Sequence, residues 1–172
     1  MDLGRLARDG DRWQLRFVRH LAHPAETVWQ ALTDPEHLRA WFPAEIEGER
    51  AVGATLRFVF PDGQGPTMPG EMIAYDPPAL LEYRWGEDLL RFELRPEAAG
   101  CVLTFTTVFG EQGRAARDGA GWHTCLDLLA QHLAGAEPPW SPPQRWAQVH
   151  GAYVESLGPD AATVGPPPGS VP

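Results

Sequence analysis

The sequence predicts an α+β fold in which a curved antiparallel β-sheet wraps around a long C-terminal helix, with two short helices after the first strand. Two segments carry this prediction: residues 22–42 have the pattern of two short helices, and residues 121–135 have the pattern of one long amphipathic helix. Between them lie almost only strand and turn patterns. A sheet folded around one helix usually leaves room for a small apolar molecule, so the layout predicts a pocket.

The length of 172 residues fits one domain with shorter segments on either side. We expect an N-terminal segment at residues 1–11, the domain at residues 12–136 and an additional C-terminal helix at residues 137–158. Residues 159–172 are rich in Pro, Gly and Ala, and this composition predicts a disordered tail.

The composition excludes several classes of function. A net charge of −9 argues against nucleic-acid binding, which requires a basic surface. All 14 basic residues other than histidine are arginine, so neither Schiff-base chemistry nor a Walker phosphate-binding loop is available. No apolar run approaches the ~20 residues of a membrane span and no signal leader opens the chain, which predicts a cytoplasmic protein without membrane insertion. The arginine bias, with many Ala, Gly and Pro residues, favours a bacterial genome rich in GC.

The strands and short helices follow from periodicity and capping residues. Residues 12–21 alternate apolar and polar side chains, as a half-buried strand does. Pro24 and the pair Asp34–Pro35 mark two helix starts. Residues 61–69 form a loop rich in Pro and Gly. Further strands are predicted at residues 44–50, 53–60, 70–75, 80–86, 89–95 and 101–109.

Two helices follow the strands. Trp122, Leu126, Leu129 and Leu133 recur at spacings of four, three and four residues, which places them on one helix face. Gly135 is a natural end for this helix. The segment from Ser141 to Gln144 reads Ser-Pro-Pro-Gln, a capping box with proline at the first helical position, and predicts the additional helix.

The last four strands fit one register in which a single face is apolar and aromatic. A hairpin tip at residues 87–88 and turns at residues 76–79 and 97–100 define this register. The predicted pairs are Trp85 with Leu90, Tyr83 with Phe92, Leu81 with Leu94, Leu90 with Thr107, Phe92 with Phe105, Leu94 with Leu103, Met72 with Tyr83 and Ala74 with Leu81.

The opposite face of these strands carries charges of alternating sign. Glu71 is predicted opposite Arg84, while Glu82 reaches Arg91 and Arg84 reaches Glu93 on the diagonals. Paired carboxylates can act in acid–base catalysis, but alternating charges on one face are typical of a solvated surface, and we assign these residues to the surface.

The apolar face and the long helix supply the candidate ligand-binding residues. The loop at residues 61–69 is a candidate lid over the predicted cavity. His123 is either a polar group at the cavity mouth or a solvent-facing side chain beside Asp127. The predicted cavity-lining residues are Phe17, Phe58, Met72, Tyr83, Trp85, Phe92, Phe105, Thr107, Trp122, His123 and Leu126.

No catalytic or metal-binding motif stands out. A Gly-x-Ser-x-Gly elbow is absent, and all three serines lie beyond the predicted domain. His20 and His23 lack a third ligand at metal-binding spacing. Cys101 and Cys125 form no Cys-x-x-Cys pair and are predicted to be buried thiols. We therefore predict no catalytic residue, no metal and no cofactor.

Three stretches of the sequence resemble a known family. Residues 24–42 (PAETVWQALTDPEHLRAWF) look like the opening of the START-like (SRPBCC) superfamily, and within it like the bacterial homologues of the heat-shock-protein-90 ATPase activator domain. Residues 70–85 (GEMIAYDPPALLEYRW) and 121–129 (GWHTCLDLL) resemble its strand–turn–strand signature and the start of its long helix. The resemblance covers residues 12–135. It implies a helix-grip fold and a cavity that binds lipids, polyketides or other apolar molecules in many members, with no universal catalytic residues.

Three hypotheses for the function follow. The leading one is a small-molecule binding protein with an apolar pocket, and its structural alternative is that the same aromatic side chains fill the interior completely. The second is an enzyme of the cyclase or dehydratase type that uses His123 or Tyr83 as acid or base. The third is a stress-related co-chaperone or regulatory module, in which Trp140, Trp146 and Tyr153 form an exposed patch. The alternative to this patch is that the three residues dock on the domain or across a homodimer.

Overall fold

A computed structural model describes residues 1–63 and 65–167. Within these residues the chain forms eight strands and four α-helices, the α+β composition that the sequence predicts. The strands are β1 (Arg5–Asp9), β2 (Arg12–Leu21), β3 (Glu45–Glu47), β4 (Thr55–Val59), β5 (Met68–Asp76), β6 (Leu80–Trp85), β7 (Asp88–Glu97) and β8 (Gly100–Phe109). The helices are α1 (Ala25–Thr33), α2 (Pro35–Leu38), α3 (Ala115–Leu133) and α4 (Pro142–Leu157).

All eight strands belong to one sheet with the order β1-β2-β8-β7-β6-β5-β4-β3. Residues 5–9, which the sequence analysis left in an N-terminal segment, form strand β1 and pair antiparallel with β2. The two short helices therefore follow the second strand and not the first. The predicted segment lacked the alternation of a strand because four of the five residues of β1 are exposed.

The chain divides into two compact units, which we describe separately. The central unit comprises residues Val18–Thr107. The terminal unit comprises residues Met1–Phe17 and Val108–Pro172, and so combines both ends of the chain. None of the helices within the described residues is long and apolar enough to cross a membrane.

In the central unit, the helix starts lie where the sequence predicts them. Pro24 precedes α1, and the carboxylate of Asp34 accepts a hydrogen bond of 2.9 Å from the backbone N–H of Glu36 at the start of α2. The indole Nε1 of Trp41 donates a hydrogen bond of 2.8 Å to the carbonyl of Ala31, which fixes the chain after α2 against α1.

The register of the β6–β7 hairpin differs from the predicted one by two residues. The turn lies at residues 86–87, where Gly86 has a φ of 60°, so that Trp85 pairs with Asp88, Tyr83 with Leu90 and Leu81 with Phe92. A left-handed φ is inexpensive for glycine, which favours Gly86 as the turn residue. A shift of two residues leaves every side chain on its predicted face, because the side-chain period of a strand is two.

A β-bulge changes the second half of the β5–β6 pairing. Met72 pairs with Tyr83 and Glu71 with Arg84, as predicted. Beyond the irregularity between Met72 and Ala74, however, Ala74 faces Glu82 and not Leu81. Tyr75 takes the place opposite Leu81, because the bulge inserts one extra residue into β5.

The charged face of these strands is a network of exposed and half-buried ion pairs. Arg84 contacts Glu71 at 3.1 Å, and Arg91 contacts Glu82 at 2.8 Å and Glu93 at 3.0 Å. The predicted pair of Arg84 with Glu93 does not form, because the register places Leu89 opposite Arg84 and Glu93 next to Arg91 on the same strand. The hydrogen bonds that Arg91 donates to both glutamates raise the pKa of its guanidinium.

In the terminal unit, α3 begins at Ala115, six residues before the predicted start, and ends before Gly135, which has a φ of 66°. The capping box of α4 forms as predicted: Ser141 Oγ accepts from the N–H of Gln144, and Gln144 Oε1 accepts from the N–H of Ser141.

The expectation of a disordered tail at residues 159–172 is wrong for its first part. Residues Pro159–Ala161 form a 3-10 helix, and Ala161 is fully buried. The N–H of Val164 donates a hydrogen bond of 3.0 Å to the carbonyl of Gly113. Composition alone missed this because one buried alanine and one backbone bond are enough to order a short segment. Residues 168–172 lie outside the described residues.

Candidate functional site

The central unit contains a cavity of about 440 Å³. The cavity lies among α2, the segment that follows it and β3, with Pro61 contributing from the segment after β4. Its lining combines apolar side chains with three charged ones. The lining residues are Pro35, Leu38, Arg39, Phe42, Pro43, Ala44, Glu45, Ile46, Glu47 and Pro61.

The charged residues of the cavity are paired and exposed. Arg39 Nε lies 3.6 Å from Glu45 Oε1, and Arg57 Nε donates a hydrogen bond of 2.8 Å to Glu47 Oε2. All four side chains are at least half exposed. The charges thus belong to the rim of the cavity, whereas Leu38, which is buried, belongs to its apolar part.

An aromatic cluster in the central unit adjoins this cavity through Phe42. The ring of Phe42 packs edge-on against Tyr83 at a centroid distance of 6.4 Å and against Trp85 at 5.3 Å. Phe42 is therefore both a wall of the cavity and a member of the cluster. Further ring contacts extend the cluster to eight residues, which are Trp41, Phe42, Phe58, Phe60, Tyr83, Trp85, Phe92 and Phe105.

Gly70 on β5 makes room for the close contact between the rings of Phe58 and Trp85. Gly70 lies opposite Leu56 on β4 and Trp85 on β6. A Cβ atom at Gly70 would clash with the carbonyl oxygen of Arg84 and with the ring of Phe58, so no other residue fits there without displacing both. The rings of Phe58 and Trp85 consequently approach to a centroid distance of 4.7 Å.

Tyr83 supplies a polar atom inside this cluster. Its side chain is 1% exposed, and its hydroxyl has no hydrogen-bond partner among the residues that the structure describes. Burial raises the pKa of Tyr83 well above its ordinary value of 10.0, and the nearby charge of Arg50 opposes this only in part. The phenol is therefore neutral at physiological pH and offers one O–H donor.

The guanidinium of Arg50 is held by hydrogen bonds to three backbone carbonyls of the central unit. Its guanidinium donates to the carbonyl of Thr33 at the end of α1 at 3.3 Å, to that of Ile46 at 3.3 Å and to that of Gly48 at 2.9 Å. These bonds tie the end of α1 to the strand that lines the cavity. A positive charge at the C-terminus of a helix is also favoured by the helix dipole.

The predicted cavity-lining residues fall into the two units. Seven belong to the central unit: Phe58, Met72, Tyr83, Trp85, Phe92, Phe105 and Thr107. Five of these seven form part of the aromatic cluster. Met72, which pairs with Tyr83, and Thr107 are both buried. The other four, Phe17, Trp122, His123 and Leu126, belong to the terminal unit, where Trp122 is half-buried and the others are buried. That all eleven line one cavity stays a prediction.

The residues that line the observed cavity were not predicted. The sequence predicts Leu38 and Phe42 only as part of the two short helices at residues 22–42. The one available signal was the density of apolar residues and prolines between residues 35 and 46, which is more than a helix of four residues can bury by itself.

The solvent-facing position predicted as one alternative for His123 is wrong, although the side chain does lie beside Asp127. It is 2% exposed and belongs to a polar network in the terminal unit. Its Nδ1 lies 2.9 Å from the hydroxyl of Tyr153 on α4, and its Nε2 lies 3.6 Å from Asp127 Oδ2 one turn along α3. Arg145 on α4 contacts the same carboxylate at 2.7 Å, and the Tyr153 hydroxyl accepts a hydrogen bond of 2.8 Å from the N–H of Gly4.

The hydrogen-bonding capacity of Tyr153 indicates which imidazole nitrogen carries the proton. The phenol oxygen already accepts from Gly4, so its own proton is available for His123 Nδ1. The Nε2–H group then faces Asp127. The carboxylate of Asp127 also accepts a hydrogen bond from Arg145. This arrangement assigns His123 a structural role between α3 and α4.

The patch of aromatic residues proposed for the additional helix is not an exposed surface. Tyr153 is fully buried. Trp146 is half-buried and stacks on His150 at a centroid distance of 4.4 Å, while the guanidinium of Arg145 lies over the ring of Trp140 at 5.7 Å. Helix α4 packs against α3 within the terminal unit, as the docking alternative predicts.

The described residues contain no group of three or more side chains of His, Cys, Asp and Glu that could hold a metal ion. His20 instead contacts Glu97 at 3.0 Å. Cys101 is buried and Cys125 half-buried, and burial raises the pKa of both thiols.

Solved structures of bacterial proteins show the same fold. EF2215, a conserved protein of unknown function from Enterococcus faecalis, is 24% identical, with 90% of each chain covered and a TM-score of 0.73. CalU16 from Micromonospora echinospora is 20% identical, with 90% of this chain and 96% of that chain covered and a TM-score of 0.71. The protein encoded by BPP1335 from Bordetella parapertussis is 27% identical, with 88% and 90% covered and a TM-score of 0.67.

Comparison with curated protein sequences gave no match. The sequence model of the family described as "Activator of Hsp90 ATPase homolog 1-like protein" matches residues 22–134. This range includes α1, α2 and all of α3 and leaves α4 outside. The chain therefore belongs to the family of activator of Hsp90 ATPase homologue 1-like proteins, within the START-like (SRPBCC) superfamily and its helix-grip fold.

Proposed function

We propose that this protein binds an apolar small molecule in the central unit, at the cavity lined by α2, the segment after it and β3. The observation that carries the proposal is the cavity itself, because its volume of about 440 Å³ falls in the range of small-molecule sites. Membership of a superfamily whose fold commonly binds ligands supports the same function.

The character of the lining favours an apolar ligand with a polar end. Leu38, Phe42 and Ala44 are buried and offer apolar surface, while Arg39 and Glu45 lie exposed at the rim. Burial of apolar surface contributes roughly 25 cal/mol per Å². The rim charges compensate one another, so they orient a ligand more than they attract one.

Binding of the solvatochromic naphthyl ketone prodan tests this proposal. Its emission shifts to the blue in an apolar site, and titration of the full chain gives a Kd. The informative variant is Ala44→Leu, which adds volume to a buried residue of the lining. Ala40→Leu is the matched control, because Ala40 is exposed and does not line the cavity.

We expect Ala44→Leu to weaken prodan binding at least tenfold and Ala40→Leu to leave it within twofold of the wild type. Circular dichroism of both variants confirms that they fold. Equal binding by folded Ala44→Leu and wild-type protein would contradict this site, and no binding by the wild type would contradict the proposed function.

A further inference from the structure

The hydroxyl of Tyr83 is the one polar side-chain atom among the described residues of the central unit that is buried without a hydrogen-bond partner. A buried hydroxyl without a partner carries a desolvation penalty of about 1–3 kcal/mol. Its neighbours are the rings of Phe42, Phe58 and Phe92, with centroids 5.6 to 6.4 Å from that of Tyr83. None of these side chains offers an acceptor other than a ring face.

A phenylalanine would fill this position as well and would avoid that penalty. The ring of Tyr83 already packs against three aromatic neighbours, and these contacts do not involve the oxygen. A buried tyrosine usually bonds its hydroxyl to a partner. The structure therefore contains an O–H donor whose acceptor must come from a molecule other than the described chain.

The path to this donor leads past Phe42. Phe42 lines the cavity and packs edge-on against Tyr83, so the phenol lies one ring behind the cavity wall. Phe42 is 6% exposed, and its side chain borders both the cavity and the ring of Tyr83.

We infer that Tyr83 is the specificity-determining residue of the site, and that the ligand is an apolar molecule with a carbonyl or ether oxygen which accepts the Tyr83 hydrogen bond past the ring of Phe42. This inference rests on the proposed function, because it assigns a ligand class to the same site. Since burial keeps the phenol protonated, Tyr83 donates and selects an acceptor over a donor.

A pair of probes that differ in one atom tests the inference. 2-Acetylnaphthalene carries a carbonyl oxygen, and 2-isopropenylnaphthalene has a methylene group in its place. The affinity of each compound is measured by displacement of prodan from the full-length wild type, from Tyr83→Phe and from Tyr75→Phe. Tyr75 is a matched control, because its ring packs on Trp29 and it does not line the cavity.

We expect the wild type and Tyr75→Phe to bind the ketone about tenfold more tightly than the hydrocarbon. Tyr83→Phe should bind both compounds equally, with its affinity for the hydrocarbon unchanged. An undiminished preference for the ketone in Tyr83→Phe, or no preference in the wild type, would overturn the role of Tyr83. In either case, binding of the hydrocarbon to the wild type would still uphold the proposed function. If neither compound binds the wild type, both the proposed function and this inference fail.

The melting temperature of ligand-free Tyr83→Phe provides a second readout. It should equal or exceed that of the wild type, because the substitution removes a hydroxyl that has no partner in the described chain. A decrease of several degrees would overturn the inference, since it would show that the hydroxyl has a structural partner such as a buried water.

Discussion

The hydroxyl of Tyr153 on α4 lies 2.9 Å from Nδ1 of His123 on α3, and both side chains are buried. The same hydroxyl accepts the N–H of Gly4, so one phenol oxygen connects three separate parts of the terminal unit. The family match ends at residue 134, before α4 begins. The additional helix is thus bonded into the terminal unit by a polar network.

The first prediction concerns this hydroxyl. Tyr153→Phe keeps the ring but leaves His123 Nδ1 and the N–H of Gly4 without their partner. We expect a decrease of about 2–3 kcal/mol in the free energy of unfolding, measured by urea titration, because buried polar groups that lose a partner are costly. Val154→Ser, an exposed change on the same helix, should cost less than about 0.5 kcal/mol. A Tyr153→Phe protein as stable as the wild type would show that the network contributes little.

A second prediction concerns the close approach of Tyr153 to α3. A Cβ atom at Gly119 would lie 3.0 Å from the Tyr153 ring, whereas one at Gly151 on α4 would meet nothing within 4 Å. Both glycines are helical, so alanine raises helix propensity by roughly 1 kcal/mol in each case. Overpacking should outweigh this gain at Gly119 and give a net loss of about 1 kcal/mol.

Gly151→Ala is the control and should stabilise the protein by about 0.5–1 kcal/mol. Both values come from urea unfolding at the same pH. If Gly119→Ala were as stabilising as Gly151→Ala, the Tyr153 ring would have to move away from α3 without cost.

A third prediction concerns α4 as a whole. Val149 and Tyr153 on α4 are fully buried, and burial of each such side chain contributes about 1.5–3 kcal/mol. Removal of residues 137–172 should therefore lower the free energy of unfolding by at least about 3 kcal/mol and increase the binding of a dye specific for exposed apolar surface. Unchanged stability and dye binding would mean that α4 is independent of the terminal unit, as an interaction module requires.

A fourth prediction follows from the thiol of Cys125. Burial raises its pKa from the ordinary value of 9.0 to about 12. Between these values the unfolded chain loses the thiol proton while the folded protein keeps it, so stability falls as the pH rises above 9. Below pH 9 this group has no effect on the pH dependence.

Cys125→Ala isolates this contribution. In urea titrations with a reducing agent present, wild-type stability should fall relative to the variant by about 1 kcal/mol per pH unit between pH 9 and pH 11. The difference between the two proteins at pH 8 sets the baseline. Parallel pH profiles would show that the thiolate is tolerated in the folded protein.

The β6–β7 hairpin illustrates how far the sequence determines the fold. Alternation of apolar and polar residues assigned Tyr83, Leu90 and Phe92 to one face, and they do share it. The pairing itself was off by two residues, because alternation is equally satisfied by any even shift. Gly86 resolves this ambiguity through its left-handed turn. In the β5–β6 pair, Glu71 opposite Arg84 was predicted correctly, because the β-bulge lies beyond these residues, between Met72 and Ala74.

For the candidate site, the sequence identified the aromatic residues but not the cavity. Tyr83, Trp85 and Phe92 were predicted as pocket residues and do belong to one cluster. The cavity of about 440 Å³ around α2 and β3 was not predicted, because its volume depends on how a helix of four residues and a strand of three pack against each other. No local pattern encodes such a gap.

The sequence by itself determined most of the element types, the two helix starts, the apolar faces and the family, since each depends on local periodicity, capping or a contiguous motif. It missed strand β1 and the 3-10 helix at Pro159–Ala161. Only the tertiary structure decided the strand pairing, the partner of His123 and the isolation of the Tyr83 hydroxyl. The physical reason is that these features depend on three-dimensional positions that neighbouring residues in the chain do not specify. His123 and Tyr153 are thirty residues apart and still form a hydrogen bond, whereas the hydroxyl of Tyr83 has no partner among the described residues.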